Sequence, residues 1–308
     1  MSNINYQNTK QINKFSSTEL MLNFNVIKNF ILDEFVHGGH LLALGAPAVT
    51  LSIMMMLRMP IRWEFLFIIY LFTLCVYNYD HYKDLKTDLL NNTKRTHYLK
   101  NHQKVLPFLI VIYTCSFFML LLCFGTVNSI IFGTVFLFIA MLYTMKLKKI
   151  TTKILGFKNI YTSFSVSLSL VFIMLYYAYP FTWFVLVLFI FLFLRFIIDT
   201  SFCDIKDMSA DKKLHLKTFP LHLGKQKFLL LLHILNFFSF FLLLTTILLK
   251  IIPSFVIVFS LFIFFYNCYY IQKASNPKTN IHLLSSTIVD GEFIFWPFVL
   301  YIGSLLSI

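Results

Sequence analysis

Apolar runs of about twenty residues follow one another through most of this chain, parted by short polar connections. Two of them, roughly 105–124 and 127–145, contain no charged residue at all. In hydrocarbon no water satisfies a backbone N–H or C=O, so segments this long must close their hydrogen bonds internally as helices. The pattern predicts an all-α polytopic membrane protein with nine transmembrane helices. Their expected ranges are roughly 38–57, 62–80, 105–124, 127–145, 159–178, 182–200, 226–249, 253–271 and 285–306. The second should continue as a helix through Asp88 and the sixth toward Asp211. These spans consume most of the 308 residues, leaving one membrane domain over 38–308 and no separate soluble domain. Residues 1–37 read as an N-terminal cytoplasmic segment without a signal peptide, because Glu19, Lys28, Asp33 and Glu34 interrupt any apolar core. From about Ser16 to Phe35 its apolar positions predict an amphipathic helix lying on the membrane surface.

Composition agrees: 58% of residues are hydrophobic and 13% charged, against about half and a quarter in soluble domains. The net charge of +13 does not point to nucleic acid, because nearly all of the 26 Lys and Arg lie in alternate connections. The opposite connections hold only Arg58, Arg62 and Lys250, and Arg195 lies inside the sixth span. This bias predicts a cytoplasmic N-terminus and an outer C-terminus, which a count of nine spans also requires. We expect an integral protein of a prokaryotic inner membrane with no nucleic-acid partner. The five cysteines are scattered, without a C-x-x-C pair, so they indicate neither a disulfide framework nor a zinc site.

Two acidic triplets stand at the ends of the second and sixth spans. Asp80, Asp84 and Asp88 are spaced by four, and Asp204, Asp207 and Asp211 by three and four. Either spacing puts the carboxylates on one helix face. Together they hold almost half of the 13 acidic residues. Like charges a turn apart repel, and a hard divalent cation with oxygen ligands removes the repulsion. Solvated helix ends among basic loops would explain one such triplet; two on the same side, each extending a span, favour a site. We therefore read all six as magnesium ligands, with Asp84 and Asp207 as catalytic. Arg95, Lys148, Lys149 and Lys217 are candidates to hold the anion that the metals bridge, with Lys212 and Lys213 close by. Metal and basic groups around a diphosphate stabilise it as a leaving group. If it leaves an allylic carbon, a prenyl cation results, and aromatic faces shield such a cation from water. With 38 Phe and 16 Tyr, the chain has those faces in supply.

These segments resemble the UbiA superfamily of intramembrane prenyltransferases. The family's first motif, Asn-x-x-x-Asp-x-x-x-Asp, is matched by Asp80-x-x-x-Asp84-x-x-x-Asp88. Its second, D-x-x-D-x-x-x-D with a basic stretch and T-x-P-x-x-x-G, is matched from Asp204 to Gly224. The connection from Lys146 to Ile160 is similar to the family's loop between its fourth and fifth helices. The resemblance implies a nine-helix UbiA-type bundle, a polyprenyl diphosphate donor, a lipophilic acceptor of unknown identity, and a place in isoprenoid biosynthesis. Two departures mark a divergent branch. Asp80 stands where the family usually has Asn, and Thr93-Lys-Arg-Thr-His97 replaces the usual basic-Pro step.

Other functions remain open at this level. A terpene cyclase would use the same cation without an acceptor. A transporter with intramembrane carboxylates is a different class, though its acids usually lie near mid-membrane. A CDP-alcohol phosphotransferase lacks support, because its D-G-x-x-A-R core is absent. Arg195 and Asp199, four apart inside the sixth span, read equally as a structural ion pair or a functional one. Asp290 and Glu292 read as acids favoured at a helix N-terminus.

Overall fold

The computed structural model describes residue 35 and residues 38–85, 93–145 and 147–306. The expected amphipathic helix at 16–35 lies almost wholly outside these residues, as does Asp88. The side chains of Asp84, Arg95, Lys148 and Lys149 lie outside them too.

No strand occurs among the described residues. A turn at His40–Ala43 leads into α1 (Gly45–Met56), followed by α2 (Trp63–Asp84) and the short α3 (Thr93–Asn101). Next come α4 (Leu106–Phe124), α5 (Val127–Met145), a 3-10 turn at Leu147–Thr152, α6 (Phe157–Ser167) and α7 (Ser169–Tyr177). The second half holds α8 (Trp183–Lys213), α9 (Phe219–Leu223), α10 (Lys225–Leu248), α11 (Val256–Ser275), α12 (Ile281–Leu284) and α13 (Glu292–Leu306). A π turn at Ser285–Val289 joins the last two.

Seven helices are long and apolar enough to cross a membrane, with α6–α7 and α12–α13 each counted as one. They match the third to ninth expected spans. The first two expected spans are helical too, but fall outside the seven. His40–Met56 is shorter, and α2, though 22 residues long, carries Glu64, Asn78, Asp80, His81 and Lys83. The described helix stops at Asp84, short of Asp88.

The helices pack as a closed ring. α1 touches α2, α2 touches α4 and α5, α5 touches α7, α6 touches α8, and α8, α10, α11 and α13 follow in order back to α1. Inward faces form a core that includes Phe65, Phe172, Phe191, Phe259 and Trp296. Outward faces stay apolar, as lipid requires: Phe108, Leu122, Val127, Phe138 and Phe238 are all exposed. Trp63 and Trp183, 71% and 84% exposed, open α2 and α8. Indoles prefer the headgroup level, so they mark the membrane border at that end.

Candidate active site

The site is built at the end of the bundle where α2, α5 and α8 finish and α6 begins. α8 has 31 residues, about 46 Å of helix, longer than a bilayer core. Its last three turns carry Asp204, Asp207 and Asp211 beyond the apolar stretch.

Asp204 is fully buried and held from two sides. The Lys158 ammonium pairs with its Oδ1 at 3.2 Å, and the Asn159 amide donates to its Oδ2 at 2.8 Å and to the Ser201 hydroxyl at 3.1 Å. Both donors sit in the first turn of α6. Lys158 also lies within electrostatic reach of Asp207 and Asp211, and 38% of its side chain stays accessible. One lysine thus pairs with Asp204 and lies near two further carboxylates.

The first triplet joins from the other side. Thr144, near the end of α5, donates to Asp80 Oδ1 at 2.7 Å. Its neighbour Tyr143 stacks on Tyr161 of α6 at 4.4 Å between ring centroids, and lies within electrostatic reach of Asp80, Lys158 and Asp204. Asp80 and the second triplet therefore share one end of the bundle, linked through α5 and α6.

Two connections brace this end. Lys217 N donates to the Thr151 carbonyl at 3.0 Å, and Gly156 N donates to the Lys217 carbonyl at 2.9 Å. The Lys217 ammonium donates one hydrogen bond to the Lys153 carbonyl at 3.0 Å. Gly156 takes φ +64°, and a Cβ there would meet the Phe219 ring at 2.3 Å, so glycine is needed on both counts. The T-x-P-x-x-x-G stretch has a similarly local logic. Pro220 lies in the first turn of α9, where its missing N–H has no intrahelical partner to lose. Gly224 ends α9 at φ 77°, ψ 150°, a region nearly closed to residues with a side chain.

Several polar atoms here are buried without a hydrogen bond: Tyr143 Oη, Thr151 Oγ1, Asn159 Oδ1, Asp211 Oδ2 and Thr218 Oγ1. Tyr143 faces Thr151, and Asp211 faces Thr218, without hydrogen bonds of good geometry. Unsatisfied buried oxygens are costly and uncommon in native proteins. An all-oxygen donor set with an unpartnered carboxylate oxygen at Asp211 fits a hard divalent cation. Among the described residues no three His, Cys, Asp or Glu side chains are gathered closely enough to hold a metal by themselves. Each Asp204 oxygen accepts one hydrogen bond, from Lys158 or Asn159, and keeps a further lone pair for a ligand.

The sequence reading singled out Lys148 and Lys149 in this connection, and passed over Lys158, Asn159, Tyr143 and Thr144. Lys158 is one lysine among several and carries no spacing signal. Asn159 did carry one: with Ser163 and Ser167 it forms a buried polar stripe at intervals of four along an apolar span.

A second polar centre lies deeper along α8. Arg195 pairs with Glu292 at 2.6 Å, both side chains 1% exposed. Asp199, four residues on, is not the partner; Glu292 opens α13, as expected of an acid at a helix start, and is also the buried counterion of Arg195. Arg195 also donates to Asn236 at 3.0 Å, and Asn267 donates to Glu292 at 2.9 Å. The network ties α8, α10, α11 and α13 together.

Fold and site together define an integral membrane protein with a carboxylate-lined pole. Residues 46–287 match the UbiA prenyltransferase family, and the chain belongs to that family. Three solved structures share the fold at low identity. A UbiA homologue from Aeropyrum pernix K1, without ligand, has a TM-score of 0.63 at 14% identity, over 87% of this chain and 98% of its own. A UbiA homologue from Archaeoglobus fulgidus bound to GPP and Mg2+ has a TM-score of 0.63 at 13% identity, over 87% and 98%. A structure described for digeranylgeranylglyceryl phosphate synthase has a TM-score of 0.58 at 15% identity, over 89% and 99%. No curated protein matches the chain by sequence.

Proposed function

We propose that the protein is a magnesium-dependent prenyltransferase. It ionises a polyprenyl diphosphate and passes the prenyl group to a lipophilic acceptor at the cytoplasmic face of the membrane. The observation that carries this reading is the meeting of Asp80 and the second acidic triplet around Tyr143 and Lys158 at one end of the ring. The homologue bound to GPP and Mg2+ supports it by showing that this fold accommodates both.

Asp80, Asp84 and Asp88 on one side and Asp204, Asp207 and Asp211 on the other would hold magnesium. The chemistry it supplies when bound is neutralisation of charge on the departing diphosphate. Lys158 is the protein cation best placed to share that work. Its ammonium is oriented by Asp204, and its charge lies near Asp207 and Asp211, where the leaving oxygens would gather. Arg95, Lys148, Lys149 and Lys217 would add charge around the same anion, and Lys217 also fixes the loops through its bond to the Lys153 carbonyl. Asn159 holds Asp204 in register, and Thr144 does the same for Asp80. The paired rings of Tyr143 and Tyr161 would offer aromatic surface to a prenyl cation formed at this end.

The test is incubation of the purified protein with labelled prenyl diphosphates of several lengths and an extract of lipid-soluble acceptors, followed by mass analysis. A prenylated acceptor formed by the wild type and not by Asp207→Ala supports the proposal. A cyclised hydrocarbon without acceptor would assign the terpene cyclase reading instead, and intact donor in every incubation would refute both.

A further inference from the structure

Of the basic residues expected at the end opposite the carboxylates, Arg62 is accounted for: it lies over the rings of Tyr176 and Tyr177 at 5.8 and 5.2 Å. The other two, Arg58 and Lys250, are far apart in sequence yet line one open cavity of about 270 Å³. Met56, Leu57, Tyr179, Phe184 and Ile252 complete most of its wall. Phe184 lies at the N-terminal end of α8, some forty ångströms of helix from Asp211.

The two cations are placed alike. Each follows a helix in the left-handed conformation, Arg58 at φ 53° after α1 and Lys250 at φ 55° after α10. Each turn is closed by a bond that reaches back into the helix, from Met59 N to the Met54 carbonyl at 2.8 Å and from Ile251 N to the Thr246 carbonyl at 3.0 Å. Glycine is the usual residue at such a position. A cation at a helix C-terminus gains from the macrodipole, which accounts for each residue singly. It does not account for both lining one cavity that no carboxylate lines.

Three donors point to what the cavity takes. The Arg58 guanidinium, the Lys250 ammonium and the Tyr179 hydroxyl have no hydrogen-bond or ion-pair partner among the described residues. Depth is a separate clue. Trp183 adjoins Phe184, and Trp63 lies a few residues beyond Arg58, both largely exposed at the level where indoles meet headgroups. Met56 and Ile252 give the cavity a buried apolar floor.

We propose that this pole binds a phosphate-type oxyanion, with a phospholipid headgroup as its natural source. Arg58 and Lys250 clamp the phosphate oxygens, Tyr179 donates a third bond, and the apolar floor meets the glycerol and acyl portion. The site is independent of the chemistry at the other end.

The test uses the full chain purified in detergent and titrated with phosphatidylglycerol, with bound lipid counted by native mass spectrometry. A parallel arm titrates inorganic phosphate against chloride of equal ionic strength and reads thermal unfolding. Arg58→Asn with Lys250→Asn removes both charges, and Asn tolerates the left-handed backbone. Lys273→Gln with Lys278→Gln removes the same charge from the opposite end. Phosphatidylglycerol binding about tenfold weaker in the Asn pair, and unchanged in the Gln pair, assigns a lipid site. Stabilisation by inorganic phosphate alone, lost in the Asn pair, assigns the same oxyanion site to a free anion. Equal behaviour of all three proteins in both arms overturns the proposal. Should the Asn pair fail to fold, Arg58→Lys with Lys250→Arg keeps both charges and should bind like wild type; loss of binding in that pair also overturns it.

Discussion

Helix α8 carries two polar centres that differ in kind. Around Arg195 a cation and an acid pair at 2.6 Å, supported by Asn236 and Asn267, and the atoms left without a partner are Arg195 Nε and Asp199 Oδ1. Around Asp204, Asp207 and Asp211 one lysine pairs with Asp204 near two further acids, and Asp211 keeps a buried oxygen without a partner. A closed pair inside a membrane is a staple between helices. An acid-rich centre with unfilled oxygens is what a site for a cationic ligand would need. The two centres differ in partners as well as in depth. Glu292 reaches Arg195 across the bundle from α13, whereas no second cation is hydrogen-bonded to the terminal triplet among the described residues.

Breaking the staple should produce the largest effect. Arg195→Met leaves Glu292 charged and unpaired, and truncating one partner of a buried pair costs about 3–5 kcal/mol. We expect a sharp loss of monodisperse protein after heating in detergent. Arg195→Met combined with Glu292→Leu should recover much of it, because the orphan charge is gone. A double variant no better than the single ones would show that the network does not act as a pair.

At the open centre the order reverses, and activity falls while the fold stays. Asp207→Ala should lower diphosphate release about a hundredfold or more, with unchanged heat resistance because fewer like charges repel. Coincident loss of fold and activity would merge the two centres into one structural class. Lys158→Met should have a smaller effect, since Asn159 still holds Asp204. We expect about tenfold weaker donor affinity, read as KM for the prenyl diphosphate. A KM equal to that of wild type would remove Lys158 from the anion site. Asp80→Asn should be the mildest. The amide keeps an oxygen ligand but loses charge, so magnesium affinity falls while turnover recovers at saturating magnesium. Inactivity at every magnesium concentration would give Asp80 another role, as a base toward the acceptor for example.

The spans from Leu106 onward were legible because hydropathy reports burial in lipid directly; α4, α5, α8 and α10 start within a residue or so of their expected positions. Asp80 and the second triplet lie at the same end of the bundle, as their places at the ends of two spans suggest. What stayed hidden depends on contacts between distant segments. Nothing local to Lys158 says that it will meet Asp204, and nothing local to Glu292 says that it faces Arg195. Helix rotation and ring order decide both, and a one-dimensional pattern holds neither. The pairing of the 147–156 and 214–218 connections through Lys217 and Gly156 is likewise a product of packing.

Diphosphate release is the most direct measure of the central claim, which is that the open acidic centre works with a divalent cation on a prenyl diphosphate. Purified protein incubated with labelled geranylgeranyl diphosphate should release diphosphate in magnesium, cease in excess EDTA, and resume when magnesium is restored. Release that continues undiminished in EDTA would contradict the account.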